Sequence, residues 1–386
     1  MGKTATRQRL KIGIIFDDTL DNPDGVQQYI TSLGRWLTRQ GHEVHYLVGQ
    51  TKSTDLPNVH SLSRNIGVTF NGNKLSIPLP TSRKKITALL KAEQFDVLHV
   101  QMPYSPWLAH RLIMAAPPKT VIFGTFHIVA YSPIVQLATR GLAWWTRRSS
   151  ARFTDIVSVS TAAQAYARAT YNIETAVLPN VFDYPRFSEA APILPATSGK
   201  VRILFLGRLV ERKGCQYLME AVRRLQQRGI TNFEVVVCGK GHLLPKMQAY
   251  VAAHELPVTF TGFVSEADKP GYYASADIAV FPSTGGESFG IVLVEAMASG
   301  RAAVLGASNS GYASVLYSRP DLQFPIADSK QLSRILEKFL SKQKLRRAAA
   351  KWGAGYAQQF DVAIVGDQLV NRYRQALLRL QQIDGQ

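Results

Sequence analysis

Gly285-Gly286-Glu287-Ser288-Phe289-Gly290-Ile291-Val292-Leu293-Val294-Glu295-Ala296-Met297-Ala298-Ser299-Gly300 is the stretch on which the reading of this 386-residue chain turns. Its glycine-rich opening suits a loop, and the apolar run that follows suits a buried helix. That spacing predicts Glu287 in the loop and Glu295 about two turns into the helix. Both carboxylates can then face one ligand, while the helix N-terminus offers unpaired N–H groups and a positive dipole end to an anion. Just upstream, Ile278 to Phe281 reads as a short buried strand, so the whole segment is one strand–loop–helix step of an α/β fold.

The same step recurs on either side. In the second half, strands are expected at Val201 to Leu206, Phe233 to Cys238, Val258 to Phe260 and Ala302 to Leu305. In the first half they are expected at Lys11 to Phe16, Glu43 to Val48, Asp96 to Val100, Thr120 to Phe126, Asp155 to Ser160 and Thr175 to Leu178. Helix-length amphipathic segments such as Gln27 to Gln40 and Thr161 to Tyr171 lie between them. This alternation predicts two Rossmann-like, doubly wound parallel-sheet domains. Pro179 to Lys200, with four prolines and Gly199, breaks the rhythm and reads as the linker. The expected division is 1–180 and 181–363, with a terminal helix at 364–386 able to pack back on the first domain. Ligands of such sheets bind at the carboxyl ends of the strands, so the chemistry is expected in those loops.

The formal net charge is +18. Between residues 56 and 154, twelve Lys and Arg face only Glu93 and Asp96, and Tyr104, Trp107, Tyr131, Trp144 and Trp145 are interleaved with them. A solvated basic face is one reading. Contact with an anionic membrane surface is the other, through Lys74, Arg83, Lys84, Lys85, Arg140, Trp144, Trp145, Arg147 and Arg148. The charge would also suit a nucleic-acid-binding protein, but no base-reading motif accompanies it, so nucleic acid is not expected as a partner. No run reaches the ~18 apolar residues of a membrane-spanning helix. Two cysteines, Cys215 and Cys238, suit a reducing cytoplasm.

The motifs narrow the chemistry. Neither the dinucleotide G-x-G-x-x-G nor the Walker G-x-x-x-x-G-K-[ST] occurs, which counts against NAD enzymes and P-loop ATPases. Asp21 to Gln27 forms a turn running into a helix. After Leu206 comes Gly207-Arg208-Leu209-Val210-Glu211-Arg212-Lys213-Gly214, where Arg208 and Lys213 can clamp a diphosphate or simply make a basic loop. Taken with the opening segment, these residues resemble the E-x7-E pattern of the retaining GT-B glycosyltransferases of family four, over nearly the entire chain. Within that family the chain is similar to the bacterial phosphatidylinositol mannosyltransferases, through Gly25-Val26-Gln27, Asn71-Gly72, Phe95-Asp96-Val97-Leu98-His99, Thr125-Phe126-His127 and Gly286 to Ile291.

The resemblance implies a hexosyltransferase, an α-mannosyltransferase of glycolipid biosynthesis, that keeps the donor's anomeric configuration by same-face attack. It gives catalytic roles to His127, Arg208, Lys213 and Glu287. It gives donor contacts to Gly25, Val26, Arg208, Lys213, Val264, Glu266, Lys269, Glu287, Ser288, Phe289, Gly290, Ile291 and Glu295, and acceptor contacts to Gln27, Asn71 and His127. Arg208 and Lys213 would stabilise the departing diphosphate, Glu287 would orient the sugar, Glu295 would meet the ribose diol, and His127 would bond the sugar from the first domain. The resemblance requires neither metal nor cofactor, and no cluster with metal-ligand spacing stands out. Glu266 and Lys269 match the guanosine enzymes of the family, and a carboxylate can accept from guanine N1–H and its N2 amine, so GDP-mannose is favoured over a UDP-sugar. The expected acceptor is a lipid such as phosphatidylinositol or another glycolipid. The expected place is the cytoplasm, peripherally on the inner membrane face. A UDP-sugar passed to a diacylglycerol, polyprenyl or soluble acceptor stays open as the alternative. Two departures bear on the acceptor: Asp24 stands where the family has a glycine, and Ile128 and Ser132 stand where it has Thr and Lys.

Overall fold

The computed structural model describes residues 9–21, 24–52, 54–70, 73–129, 133–197 and 199–384. The chain divides into two compact units. One runs to Val181 and resumes at Val362, and the other is Phe182–Asp361.

In chain order the first unit contributes β1 (Lys11–Phe16), β2 (Glu43–Val48), β3 (Val59–Ser61), β4 (Asn65–Phe70), β5 (Asn73–Pro78), β6 (Val97–Val100), β7 (Val121–Phe126), β8 (Asp155–Ser158) and β9 (Ala176–Val177). Seven of them form a parallel sheet in the order β3-β2-β1-β6-β7-β8-β9, while β4 and β5 pair antiparallel. Its inner strands are apolar on both faces because both are covered. Ile12, Ile14 and Phe16 pack with the helices Gly25–Arg39 and Val362–Asp384, whereas Ile15, Leu47, Leu98 and Val100 pack with Arg83–Glu93 and Leu108–Ala115. Each such side chain, fully withdrawn from water, contributes about 1.5–3 kcal/mol.

The second unit holds β10 (Val201–Leu206), β11 (Phe233–Cys238), β12 (Val258–Gly262), β13 (Ile278–Phe281), β14 (Ala303–Ala307) and β15 (Gln323–Phe324), parallel and in the order β12-β11-β10-β13-β14-β15. In each sheet the strand order reverses beside the unit's first strand: between β1 and β6, and between β10 and β13. Those two switch points are where an open parallel sheet leaves a crevice.

Three expectations need correction. Pro179 to Lys200 is not free of regular structure: Tyr184–Ser188 is a short helix, capped by the Asp183 side chain, and Pro185 sits in its first turn where its missing N–H costs nothing. The strands β3, β4, β5 and β15 were not anticipated, being short or poor in continuous apolar residues. Glu295 stands just over one turn into its helix rather than two, because Gly290, in the left-handed region at φ 99°, delays the start to Ile291. The terminal helix belongs to the first unit, where Tyr373 Oη meets His99 Nδ1 at 2.6 Å and Arg372 pairs with Asp155 at 2.7 Å.

Candidate active site

In the second unit the loops after β10 and β13 flank the switch point and are stitched together. Thr284 N donates to Arg212 O at 2.8 Å, Ser283 Oγ lies 3.0 Å from the same oxygen, and Asn309 Nδ2 donates to Ser283 O at 2.9 Å. Gly214 makes this closeness possible. It lies at φ 73°, and a Cβ there would stand 1.9 Å from the carbonyl oxygen of Pro282.

The 3-10 turn Glu211–Lys213 thereby brings its two cations to Glu287. Arg212 Nη1, Lys213 Nζ and Ser283 Oγ all donate to Glu287 Oε1, at 2.9, 2.8 and 2.8 Å. Among the described residues no hydrogen bond reaches Oε2. Burial opposes the charge on Glu287, but Lys213 and Arg212 outweigh it and bring the carboxyl down to about 2. Burial pushes the Lys213 ammonium below its ordinary value, and Arg212 and Arg208 add to that against the pull of Glu287. One carboxylate among three cations leaves the cluster positive, which suits a phosphate-bearing ligand. A buried ion cluster is poor evidence for stability, so its place at a switch point speaks for function.

Nearby in the same unit a second charged group is more deeply enclosed. Lys269 Nζ donates to Glu295 Oε1 at 2.8 Å and makes an ion pair with Glu266 Oε2 at 2.8 Å, and Glu295 is only 2% exposed. Burial pushes the Glu295 carboxyl up, with Lys269 offsetting part of the effect. Val264, Ser288 and Ile291 are half-buried around these loops. Phe289 turns its ring into the core against Phe360, so any ligand contact there falls to its backbone.

In the first unit the side chains that end β6 and follow β7 are neutral. His127 follows β7 and is buried, its Nε2 lying 2.9 Å from Oε1 of Gln101 at the end of β6. The edge of Tyr29 packs on it with ring centres 4.9 Å apart. Burial pushes the imidazoles of His127 and His99 each down to about 3. Gly25 opens its helix, Val26 packs on the core, and Gln27 donates from Nε2 to Thr19 O at 3.2 Å, holding the loop after β1. Asp17, at the end of β1, accepts from Ser105 Oγ and Ala109 N, while burial pushes its carboxyl up to about 6. Asn71 lies outside the described residues.

Both halves of this geometry have counterparts. Residues 23–186 match the Glycosyltransferase Family 4 family, and residues 187–354 match Glycosyl transferases group 1. The chain belongs to the GT-B glycosyltransferases. It is 28% identical over 370 residues to a phosphatidyl-myo-inositol mannosyltransferase of Mycolicibacterium smegmatis, covering 94% of this chain and 93% of that one. It is 29% identical to one of Propionibacterium freudenreichii, covering 94% of each. Among solved structures, sucrose-phosphate synthase from Thermosynechococcus elongatus superposes with a TM-score of 0.74 at 20% identity, covering 96% of this chain and 100% of that one. A glycosyltransferase from Rickettsia africae superposes at 0.71 and 14% identity, covering 96% and 99%.

In this glycosyltransferase the structure joins Lys213 to Glu287 directly and sets Arg208 close enough to act on Lys213. Arg212, Ser283, Asn309 and Gln101 join these groups without a motif that marks them in the sequence. Arg212 lay in the quoted basic loop, but only the 3-10 turn shows that it shares a face with Lys213. The basic face is also selective. Arg83, Lys84, Lys85, Arg140, Arg147 and Arg148 are exposed, Trp144 and Trp145 are 68% and 60% exposed, and Tyr104 is buried against Phe126 instead. The Lys74 side chain lies outside the described residues. No helix among the described residues is long and apolar enough to cross a membrane.

One group with metal-ligating side chains had no sequence signal: His45, His60 and Glu93. The His45 and His60 rings are within 5° of parallel, with centres 5.2 Å apart and Nδ1 to Nε2 at 2.9 Å. That centre distance equals the hydrogen bond plus the two ring radii, so the nitrogens face head-on along one line. One of these nitrogens donates to the lone pair of the other, so the pair does not converge on a third point, and Lys11 already holds Glu93 at 2.6 Å.

Proposed function

We propose that this glycosyltransferase moves mannose from GDP-mannose, with retention of configuration, to a membrane lipid acceptor of the phosphatidylinositol kind. The observation that supports this most is the Arg212–Lys213–Glu287 cluster at the switch point of the second unit. Its surplus positive charge meets a leaving diphosphate, where charge builds in the transition state, and Glu287 Oε2 accepts from a hydroxyl of the transferred sugar. The names of the relatives supply the mannose and the acceptor.

Glu266, with Lys269, selects guanine by accepting from its N1–H and N2 amine. His127 bonds a sugar hydroxyl, and the departing phosphate takes the acceptor's proton on the same face. The exposed Trp144, Trp145 and their neighbouring arginines rest on an anionic membrane surface, each cation adding about 1 kcal/mol there. The protein then works on the inner membrane face from the cytoplasm.

Radiolabelled GDP-mannose and UDP-sugars, each incubated with the protein and vesicles with or without phosphatidylinositol, test this by product mass and anomeric configuration. Mannosylated phosphatidylinositol with the α-anomer is the expected product. Label entering lipid only from a UDP-sugar would reject the guanine assignment. Transfer that ignores phosphatidylinositol would reject the acceptor.

A further inference from the structure

Gln101 is fully buried, and among the described residues its side chain makes one hydrogen bond, through Oε1 to Nε2 of His127. The other end of the amide, Nε2, is buried without a partner among the described residues. Packing alone would be better served here by Met or Leu, which bring no unpaired donor into the core. What glutamine adds that they cannot is a carbonyl facing the imidazole.

We infer that Gln101 is a positioning residue that fixes the tautomer of His127 and so decides what kind of ligand atom His127 can bind. A carbonyl oxygen only accepts, so the imidazole nitrogen facing it carries the proton. The lone pair is then left on Nδ1, which has no hydrogen-bond partner among the described residues. Nδ1 accepts a hydrogen bond from a hydroxyl and repels the bare oxygens of phosphate or carboxylate.

The surroundings keep the ring in this state. The edge of Tyr29 closes one side, and His99, itself bonded through Nε2 to Thr125 Oγ1 at 2.7 Å and through Nδ1 to Tyr373, contributes no negative charge. Burial holds the imidazole neutral far below physiological pH. His127 is therefore set as a hydroxyl reader and not as a general acid. This rests on the reading of His127 as a sugar-contacting residue.

The tautomer is measured directly by long-range 15N correlation spectroscopy on the full chain, with His127→Ala assigning the resonance. The wild type is expected to show a single neutral Nε2–H form at pH 7. Gln101→Met, which fills the space without a carbonyl, is expected to give a mixture of tautomers and about a two- to threefold lower kcat/KM with GDP-mannose, in proportion to the rings that no longer carry the proton on Nε2. Gln101→Glu keeps an acceptor in place and is expected to retain the Nε2–H form, restore most of the kcat/KM and raise the imidazole pKa. A wild-type proton on Nδ1, or a Gln101→Met protein with the wild-type spectrum and kcat/KM, overturns the inference. If GDP-mannose is no substrate of the wild type, the proposed function fails, while the spectra still decide the role of Gln101.

Discussion

The two units build the same kind of sheet and reverse strand order at the same place, yet they furnish their switch points in opposite ways. In the second unit Glu287 is held ionised by Arg212 and Lys213, in a cluster with positive charge to spare. In the first unit His127 is held neutral by burial beside the uncharged amide of Gln101. Under the proposed function the contrast matches what each kind of ligand atom asks of the group that binds it. A leaving diphosphate needs cations that stay charged out of water, which demands a compensating carboxylate. A hydroxyl needs only an oriented lone pair, which a neutral ring supplies at lower desolvation cost.

The hardest test of this contrast removes one member from each side. Lys213→Ala is expected to lower kcat by about 10²–10³, the cost of losing a charged stabiliser of the transition state. His127→Ala is expected to cost only about tenfold, one neutral hydrogen bond. Steady-state kinetics with saturating donor decide the matter: equal losses would mean that the difference in charge is not a difference in role.

A second test separates the scaffold from the chemistry. Gly214→Ala would place a methyl group against the Pro282 carbonyl in a left-handed backbone, and is expected to cost roughly 3 kcal/mol in urea unfolding. The turn bearing Arg212 and Lys213 would move with it, so activity should fall further than stability accounts for. A Gly214→Ala protein of parental stability would show that the two loops are not pressed together as described.

Much of this arrangement could be read before any coordinates. Continuous apolar runs such as Phe233 to Cys238 are buried on both faces and announce parallel strands, and the long strands fell within a residue or two of their expected bounds. The short, polar Val59–Ser61 carries no such pattern, because an edge strand need not be apolar. Lys213 and Glu287 were legible as charged residues at strand ends. Arg212 and Gln101 were not, for opposite reasons. Arg212 needed the 3-10 turn to bring it onto the face of Lys213, and Gln101 needed a contact across 26 residues of chain to give a buried amide its meaning.

Acid should separate the units as well. His127 and His99 have folded pKa values near 3, below the unfolded value, so the unfolded state binds more protons between the two. Their contribution is complete above about pH 6.5 and is lost as the pH falls toward 3. Asp17 works the other way: its carboxyl is raised to about 6, so protonation through that range relieves a cost and offsets part of the loss. In the second unit Glu287 and Glu220, both held at about 2, keep their contribution until the pH falls below about 4.5. Hydrogen exchange at pH 7, 5.5 and 4.5 is expected to show the first unit losing protection first, with two histidines against one aspartate. Loss from both units in one step would contradict this.

The smallest effect concerns a pair that both units share. Arg147 lies over Trp144 at 5.0 Å, and Arg319 lies over Trp352 at 4.9 Å. Arg319 is also tied to Asp321 by two hydrogen bonds of 2.8 Å, and Trp352 is half-buried and stacked on Tyr356, so that pair is turned to structure. The Trp144 pair is exposed, and among the described residues Arg147 has no carboxylate partner. Replacing Trp144 and Trp145 with Ala is therefore expected to change stability by no more than about 0.5 kcal/mol each, as for other exposed positions. The same change should weaken sedimentation with anionic vesicles, because an indole favours the headgroup zone and its removal exposes no core. Trp352→Ala should do the reverse, lowering stability and leaving sedimentation unchanged. If the double Ala protein binds anionic and neutral vesicles as the parent does, the exposed rings are not a membrane contact, and the basic face is a solvated one.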